Sequence, residues 1–372
     1  MTSVVAAPDA VSPAPSPTTS RAVVRWAVIG TVVLALVVLV DLERLGGNPL
    51  GLVQPGAAGP AAAAFAEDFP ETELPADVGL DGQLAYAIAR DPLPVDASAS
   101  NLDRPRYRLQ RPLLPYVAAA LHPGGGGTGL VWALFVVGLA GVAAVAAGAG
   151  LLSTRWGGPA WVGAVVAVLP GCFMSLRVTT ADALGLGLAL LAVALAARGR
   201  TGPAIVLGVA AVLAKEPAWL VLAGWALAHR TRRDAAVALV PAVVAGAWLV
   251  ALRLLVPGAE SLNGDIGLPF VGLVHAATDI WAEGRELWGL VGTVLGLALG
   301  ALALGRRGLR HPLGWAVALN LAFVTVAGSN PLGTSFGGTR TSLALSALAI
   351  VVLATPDARR DGAVSPPAPV AS

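Results

Sequence analysis

The sequence predicts an all-α integral membrane protein, a polytopic bundle of transmembrane helices. Of its 372 residues, 56% are hydrophobic and only 12% are charged, whereas roughly a quarter of the residues in a soluble domain are charged. The apolar stretches are continuous, as from Ala27 to Val40, and do not alternate with polar residues as barrel strands do. Because lipid cannot satisfy backbone polar groups, such stretches are expected to form helices.

Charge and cysteine content exclude several function classes. The formal net charge is only +2, and the basic residues are scattered between apolar stretches, so no nucleic-acid partner is expected. The single cysteine, Cys172, cannot form an internal disulfide, and no Cys/His spacing typical of a metal site is present. We expect a multi-pass plasma-membrane protein with membrane lipids as partners and no cofactor, and a divalent metal is not supported.

The two ends of the chain differ from the rest in composition. Residues 1–20 are rich in Pro, Ser, Ala and Thr, and residues 355–372 in Pro and Ala, so both are predicted to be disordered tails. Arg21 and Arg25 precede the apolar segment 26–40. A cleaved signal peptide is the alternative, but the apolar run approaches spanning length. We expect a retained signal anchor, with residues 21–354 as one transmembrane domain.

The positions of the arginines predict the topology. Further apolar segments are expected at 130–152, 159–176, 181–197, 203–214, 216–228, 235–255, 287–304, 312–328 and 341–354. The basic connectors can all be cytoplasmic if the chain makes about ten crossings with both termini inside. Residues 41–129, which hold half of the 22 acidic residues, then form the first extracytoplasmic loop. Nearly every polar group capable of specific chemistry then faces outward.

One stretch, 203–228, is too long for one ordinary crossing and short for two. Both of its ends carry arginine, so both are expected on the cytoplasmic side. A hairpin that turns at Lys215, Glu216 and Pro217 meets this requirement, because proline cannot complete a helix ladder. A single tilted helix is the alternative, and it would break the charge rule once.

The first outer loop contains a predicted amphipathic helix with Asp81 at its start. Gly82 precedes the helical pattern 83–89, and Pro92 follows Asp91. The helix dipole at this end favours the ionised carboxylate of Asp81. A plain capping role for Asp81 is equally consistent with the spacing.

An arginine-rich stretch follows in the same loop. Tyr107 lies among five arginines within 22 positions, which are Arg90, Arg104, Arg106, Arg108 and Arg111. Guanidinium groups bind phosphate oxygens through paired hydrogen bonds. The alternative is an interfacial segment that contacts lipid headgroups, with Tyr107 as its anchor. The two interpretations merge if the substrate is itself a lipid phosphate.

Ionisable residues also interrupt the apolar segments. Arg177 and Asp182 flank Val-Thr-Thr-Ala, Lys215 and Glu216 are adjacent, and Arg340 precedes the last segment. Such groups near membrane depth are costly and usually functional. The alternative is that an Arg–Asp and a Lys–Glu pair hold helices together. We expect Asp81, Arg177, Asp182, Lys215 and Arg340 to line one cavity at the outer membrane surface.

The order of these residues resembles the GT-C superfamily of membrane glycosyltransferases, which use polyprenyl-phosphate sugars. Asp81-Gly82-Gln83 with Tyr86, followed by Tyr107-Arg108-Leu109-Gln110-Arg111, is similar to a bacterial branch linked to cell-surface glycopolymers. The similarity covers most of residues 75–345, but only 79–111 is distinctive. It implies a GT-C-like fold for the transmembrane domain.

The resemblance also implies roles for particular residues. Asp81 matches the acid that takes a proton from the acceptor hydroxyl, which then attacks the anomeric carbon with inversion. Arg177, Lys215 or Arg340 matches the cations that hold the phosphate leaving group. Where many members have a second acid, Gly82 and Gln83 follow Asp81, so no metal is implied. The full substrate-binding set is Gln83, Tyr86, Arg90, Tyr107, Arg108, Arg111, Arg177, Asp182, Lys215, Glu216 and Arg340.

The leading hypothesis is therefore a hexosyltransferase on the extracytoplasmic face. Its partners would be a polyprenyl-phosphate sugar donor and an envelope glycan or lipid acceptor. A transporter or flippase for lipid-linked sugars is the second hypothesis, because broken helices often line a transport path and Pro217 is a candidate break. A non-catalytic membrane protein of envelope assembly is the third.

Overall fold

The computed structural model describes residues 17–95, 98–256, 266–284 and 286–356. Within these ranges the chain is built from helices, and the one β contact is an isolated antiparallel bridge between Ile266 and Ala327. The all-α prediction is confirmed. Most of both predicted tails lies outside the described residues, but 17–20 already belong to the first helix, so the predicted boundary at residue 20 is too late.

Eighteen α-helices are present in the described part of the chain. They are α1 Pro17–Arg44, α2 Ala62–Asp68, α3 Gly82–Arg90, α4 Pro105–Leu109, α5 Leu113–Leu121, α6 Thr128–Arg155, α7 Val162–Ala167, α8 Pro170–Arg177, α9 Asp182–Ala196, α10 Thr201–Ala214, α11 Trp219–His229, α12 Arg232–Leu255, α13 Val271–Asp279, α14 Leu287–Arg307, α15 Gly314–Val326, α16 Ser329–Gly333, α17 Ser335–Thr341 and α18 Leu343–Ala354. Short 3₁₀ turns lie at Pro49–Leu52, Ala99–Asn101, Glu216–Ala218 and Trp281–Glu283.

Four of these helices are long and apolar enough to cross a membrane. They span Thr19–Arg44, Thr128–Arg155, Arg232–Leu255 and Leu287–Arg307. A fifth candidate is the pair α17 and α18, which together pass the same test but are bent by 43°. Three shorter apolar helices, α9, α10 and α15, lie among them. The membrane character is thus supported by length and composition, and the count of ten crossings stays a prediction.

The apolar stretches 159–176 and 203–228 each contain a break within two residues of a proline. Segment 159–176 divides into α7 and α8, because Leu169 is extended before Pro170 (φ −59°, ψ 146°). The stretch 203–228 leaves the helix at Lys215, which is extended at φ −156° and ψ 118°. α10 then packs on α9 and α12, whereas α11 packs on α12 and α15. The predicted break at Lys215 is present, and the choice between hairpin and tilted helix stays open.

Small residues allow the helices to approach closely. A Cβ added to Gly187 of α9 would lie 2.6 Å from the carbonyl oxygen of Gly141 on α6, and a Cβ on Gly141 would lie 2.7 Å from Cα of Leu184. Transmembrane helices associate through close backbone contact of this kind, because the hydrophobic effect does not drive helices together in lipid. The pair α6 and α9 therefore forms a rigid support for the polar residues at the start of α9.

Three of the basic connectors lie at one end of the bundle, where Pro356 lies beside Gly157, two residues after Arg155. Burial and the neighbouring Arg155 and Arg200 lower the pKa of Arg198, so these three arginines lie together although α7, α8 and α9 separate Arg155 from the other two in sequence. On the same side, Arg307 donates to the carbonyl oxygen of Thr355. α9 begins at Asp182 and runs toward this basic end. The polar residues at its start therefore lie at the other end, as the sequence topology requires.

Chemical labelling tests this sidedness. In a Cys172→Ala background, Glu71→Cys places a thiol on the exposed surface of the first loop, and Arg200→Cys places one at the basic end. A membrane-impermeant maleimide added to intact cells is expected to label the Glu71 position and to label the Arg200 position only after permeabilisation. Equal labelling of both, or labelling of the Arg200 position alone, would contradict the topology.

Candidate functional site

A cavity of about 1170 Å³ opens among the first loop and the polar ends of the helices. Five separate parts of the chain contribute the ionisable residues predicted to meet there, and all five line it: Asp81, Arg177, Asp182, Lys215 and Arg340. Gln83, Tyr107, Arg108, Arg111 and Glu216 line it as well. The structure thus brings together ten of the twelve residues singled out in the sequence, and the two that it leaves out are Tyr86 and Arg90.

Asp182 holds two cations at the centre of this cavity. Its Oδ1 lies 2.9 Å from Lys215 Nζ, and its Oδ2 lies 3.0 Å from Arg340 Nη1. Thr180 donates a further hydrogen bond to Oδ2 at 2.8 Å. The Asp182 side chain is only 10% exposed and the Arg340 side chain 11%. Buried charges need such pairing, because an unpaired one is expensive to keep out of water.

Asp81 continues the chain of ion pairs toward the first loop. Its Oδ2 lies 3.0 Å from Arg340 Nη2, and its Oδ1 lies 3.0 Å from Arg108 Nη1. Arg108 in turn forms a bidentate pair with Asp103, with both N···O distances 2.8 Å. Six residues from Lys215 to Asp103 therefore alternate in charge and form one continuous network.

The pairing decides the protonation state of Asp81. Burial alone would raise its pKa, but Arg340, Arg108 and Lys215 outweigh burial and lower the pKa to about 2. Since the pKa of an unfolded Asp is close to 4, the paired carboxylate stabilises the folded protein at neutral pH, and this contribution is lost only as the pH falls toward 2. Although Asp81 occupies the N-cap position of α3, its side chain makes no capping hydrogen bond. The structure does not support the capping interpretation.

A smaller cavity of about 60 Å³ adjoins this network. Four cations line it, namely Arg108, Arg111, Lys215 and Arg340, and Asp81 is the one carboxylate among its described lining residues. Several positive side chains around one small space make a site for an anion with several oxygens. The lining resembles a phosphate pocket in which Asp81 is the local negative charge.

Close backbone packing places Asp81 at this point. A Cβ on Gly82 would overlap the carbonyl oxygen of Val178 and lie 2.8 Å from Cα of Val53, so only glycine allows α3 to start here. Thr179 has a φ of +48°, an uncommon conformation for a β-branched residue. Its hydroxyl donates to the carbonyl oxygen of Leu52 at 2.7 Å, which offsets this strain. The turn before α9 and the start of α3 are thereby locked together.

Arg340 is held by its own short helix as well as by its carboxylates. Its Nε donates to the carbonyl oxygen of Phe336 at 3.0 Å, and its guanidinium carbon lies 3.4 Å from the centre of the Phe336 ring. Stacking on an aromatic face suits a guanidinium more than an ammonium. With Asp81 and Asp182 at its two terminal nitrogens, every nitrogen of the Arg340 guanidinium has an acceptor.

Arg111 and Tyr107 form a second polar group beside the network. Arg111 Nε lies 3.0 Å from each carboxylate oxygen of Glu216, and Arg111 Nη2 donates to Tyr107 at 2.9 Å. The guanidinium carbons of Arg104 and Arg111 lie 4.2 and 4.5 Å from the centre of the Tyr107 ring. Glu216 therefore pairs with the first loop. The alternative of a Lys215–Glu216 pair is wrong.

Arg177 connects α8 to α1 and is not one of the cations around the small cavity. It forms an ion pair with Asp41 at the end of α1 and donates to the carbonyl oxygen of Gly51. The alternative of an Arg177–Asp182 pair is therefore also wrong. Its side chain is 9% exposed, so phosphate would have to displace two acceptors to reach it. Asp41 was missed because an acid at the end of an apolar run gives no sign of its partner.

The structure corrects the predicted substrate contacts of Tyr86 and Arg90. Tyr86 is fully buried, donates to Asp68 at 2.6 Å and accepts from Gly127 N at 2.5 Å. Arg90 Nε lies 2.9 Å from the same Asp68 and Nη2 lies 2.7 Å from Glu67. Both residues face the inner side of α3, away from the cavity, where they fasten it to α2.

A stability measurement distinguishes this bracing role from substrate binding. Tyr86→Phe removes two hydrogen bonds, one of them to a carboxylate, which is worth about 1.5–3 kcal/mol. We expect a lower melting temperature in detergent and unchanged affinity for a polyprenyl phosphate. The matched variant Tyr107→Phe, at a residue that lines the large cavity, is expected to lower the affinity. Loss of affinity in Tyr86→Phe at unchanged stability would restore the substrate role.

Gln83 lies at the edge of the large cavity. It is 2% exposed, and its Nε2 donates to the carbonyl oxygen of Val78 at 2.7 Å. Its Oε1 has no hydrogen-bond partner in the described part of the chain. Because this oxygen is itself buried, the case for a ligand contact rests on the position of Gln83 in the lining of the large cavity. Gln83 therefore keeps its place among the candidate binding residues.

Comparison with known proteins adds no family assignment, because no protein-family model, curated protein or solved structure matches this chain. Within the described ranges, no group of three or more His, Cys, Asp or Glu side chains could hold a metal ion. Each carboxylate of the network already faces an arginine or lysine. The residues and their geometry thus carry the functional interpretation.

Proposed function

We propose that this protein is a GT-C-like inverting glycosyltransferase of the plasma membrane. It would move a sugar from a polyprenyl-phosphate donor to an envelope glycan or lipid acceptor on the extracytoplasmic face. The observation that carries the proposal is the small cavity with four cations around Asp81, at the end of the bundle opposite to the basic connectors. The ten crossings with both termini inside belong to this proposal as well.

The reaction assigns one role to each kind of group. Asp81 accepts the proton of the acceptor hydroxyl, and the hydroxyl oxygen forms a bond to the anomeric carbon. The bond between this carbon and the phosphate oxygen breaks, and its electron pair goes to the phosphate. The positive side chains of Lys215, Arg340, Arg108 and Arg111 stabilise the negative charge of the departing phosphate. The products are the glycosylated acceptor and a polyprenyl phosphate.

A large neighbouring cavity supports a two-substrate reaction. The cavity of about 1170 Å³ combines charged residues with apolar side chains such as Phe173, Leu186 and Leu343. This combination fits a donor with a polar headgroup and a prenyl chain, since apolar walls bury the chain and polar groups orient the head. The space exceeds what a sugar phosphate needs, which leaves room for an acceptor.

Sealed membrane vesicles of known orientation test the proposal against transport. Radiolabelled polyprenyl-phosphate hexoses are supplied to vesicles with and without the protein, and two quantities are followed: label released from the lipid, and label moved across the membrane while still on the lipid. A glycosyltransferase is expected to release label from the lipid into an acceptor. Movement without release would favour the flippase. If label is neither released nor moved, the non-catalytic assembly protein would be favoured.

A further inference from the structure

Arg340 and Arg108 at the small cavity already donate a hydrogen bond through every guanidinium nitrogen. Arg340 donates to Phe336, Asp182 and Asp81, and Arg108 donates to Asp103 through two nitrogens and to Asp81 through the third. All six guanidinium nitrogens are occupied. A phosphate that enters this cavity and pairs with both arginines therefore competes with the acceptors already present.

The three carboxylates differ in how firmly they are held. Asp182 also accepts from Thr180 and Lys215, and Asp103 also accepts from the backbone N–H of Arg104 at 2.8 Å. Asp81 is bound by its two arginines alone and makes no capping hydrogen bond. All three line the large cavity, but of the three only Asp81 also lines the small one. Asp81 is therefore the acceptor that a phosphate displaces at the lowest cost.

Charge balance leads to the same conclusion. Arg108, Arg111, Lys215 and Arg340 are balanced by four carboxylates within hydrogen-bond distance, those of Asp81, Asp103, Asp182 and Glu216. An incoming phosphate adds negative charge to a neutral group in a partly dry site, where uncompensated charge is costly. The anion is accommodated when one carboxylate turns out of the group into the large cavity.

We propose that Asp81 occupies the phosphate pocket of the resting protein and that the donor phosphate displaces it from Arg340 and Arg108. The displaced carboxylate turns into the large cavity, where it loses its two cationic partners and regains the basicity of an ordinary carboxylate. The proton acceptor is thus freed only after the donor has bound, so the donor binds before the acceptor is activated. Asp182 keeps Arg340 in place during the exchange. This inference rests on the proposed use of a phosphate-bearing donor.

Binding measurements on the purified protein in detergent micelles test the exchange without requiring transfer. The probe is a short-chain polyprenyl monophosphate, with inorganic phosphate as the headgroup alone. Asp81→Asn removes the competing carboxylate, so we expect affinity for the probe to rise about tenfold, although this variant lacks the proposed base. Tighter binding by a variant with no base is not expected if Asp81 only shapes the pocket.

Asp182→Asn is the matched control, because it changes the local charge by the same amount but leaves Asp81 on its arginines. We expect its affinity to change by less than twofold or to fall. An equal rise in both variants would show a general charge effect and overturn the exchange. Unchanged or weaker binding by Asp81→Asn would overturn it too. Absence of binding in all three proteins would overturn the proposed donor class, whereas sugar release in vesicles without tighter Asp81→Asn binding would overturn the exchange alone.

A spectroscopic measurement on the wild-type chain does not depend on whether variants fold. In protein labelled with ¹³C at the aspartate carboxyl groups, addition of the probe is expected to shift one carboxylate stretching band from its ion-paired position toward that of a free carboxylate. No shift in a sample that binds the probe would overturn the exchange.

Discussion

Asp81→Asn is expected to reduce the rate of sugar transfer by a factor of about 10²–10⁴, the usual contribution of a positioned general base. The amide keeps the shape of the side chain but cannot accept the proton of an acceptor hydroxyl. Transfer is measured as label released from a polyprenyl-phosphate hexose in vesicles. The reduction is expected in the rate at saturating donor, since donor affinity is expected to rise.

Asp91→Asn is the control for this prediction. Asp91 lies in the same loop and pairs with Arg90 at 3.1 Å, but it does not line either cavity in the described part of the chain. Its variant is expected to keep transfer close to wild type. Wild-type transfer by Asp81→Asn with normal membrane insertion would remove Asp81 from the chemistry and favour transport or assembly.

Arg340→Gln is expected to lower stability more than any other single change in the network. It leaves Asp81 and Asp182, which are 29% and 10% exposed, each without one cationic partner. Removing one partner of a buried ion pair costs about 3–5 kcal/mol, and the lower end suits Asp81 because water reaches it. The melting temperature in detergent is expected to fall by several degrees. Affinity for a polyprenyl phosphate is expected to fall with it.

A double-mutant cycle separates lost pairing from lost packing. The double variant carries Arg340→Gln and Asp182→Asn. The Asp182 carboxylate, which the first change leaves without Arg340, is replaced in it by a neutral amide. The destabilisation of the double variant is therefore expected to be smaller than the sum for the two single variants. Additive losses would mean that the guanidinium acts mainly through its stacking on Phe336 and not through its charges.

The sequence predicted the helical class and the segments with useful accuracy because hydropathy is a local property. The predicted segment 130–152 cannot be satisfied in lipid except as a helix, and the structure has α6 at Thr128–Arg155. The break at Lys215 was predictable because proline also has a local effect: Pro217 disfavours a continuous helix in the residues just before it. Asp182, Lys215 and Arg340 were recognisable because charge inside or beside an apolar segment needs a reason, and Asp81 and Arg108 were recognisable from the pattern of the first loop. Asp103 was not predicted as a member of the network.

The sequence did not predict which charged residues form ion pairs with one another. Arg177 pairs with Asp41 across 136 positions, Arg111 with Glu216 across 105, and Arg340 with Asp81 across 259. Adjacent residues such as Lys215 and Glu216 instead point to different partners. The role of Tyr86 was misjudged because a motif gives the order of residues along a helix but not what lies against its inner face.

By itself, then, the sequence determined where the chain is helical and which ionisable residues lie among apolar ones, because both follow from the transfer of local groups into lipid. Only the tertiary structure decided that four cations share one small cavity with Asp81, and that Tyr86 and Arg90 do not. The physical reason is that an ion pair forms only over a short distance in space. Ion pairs depend on separations of about 3 Å in space, which arise only once the helices have packed.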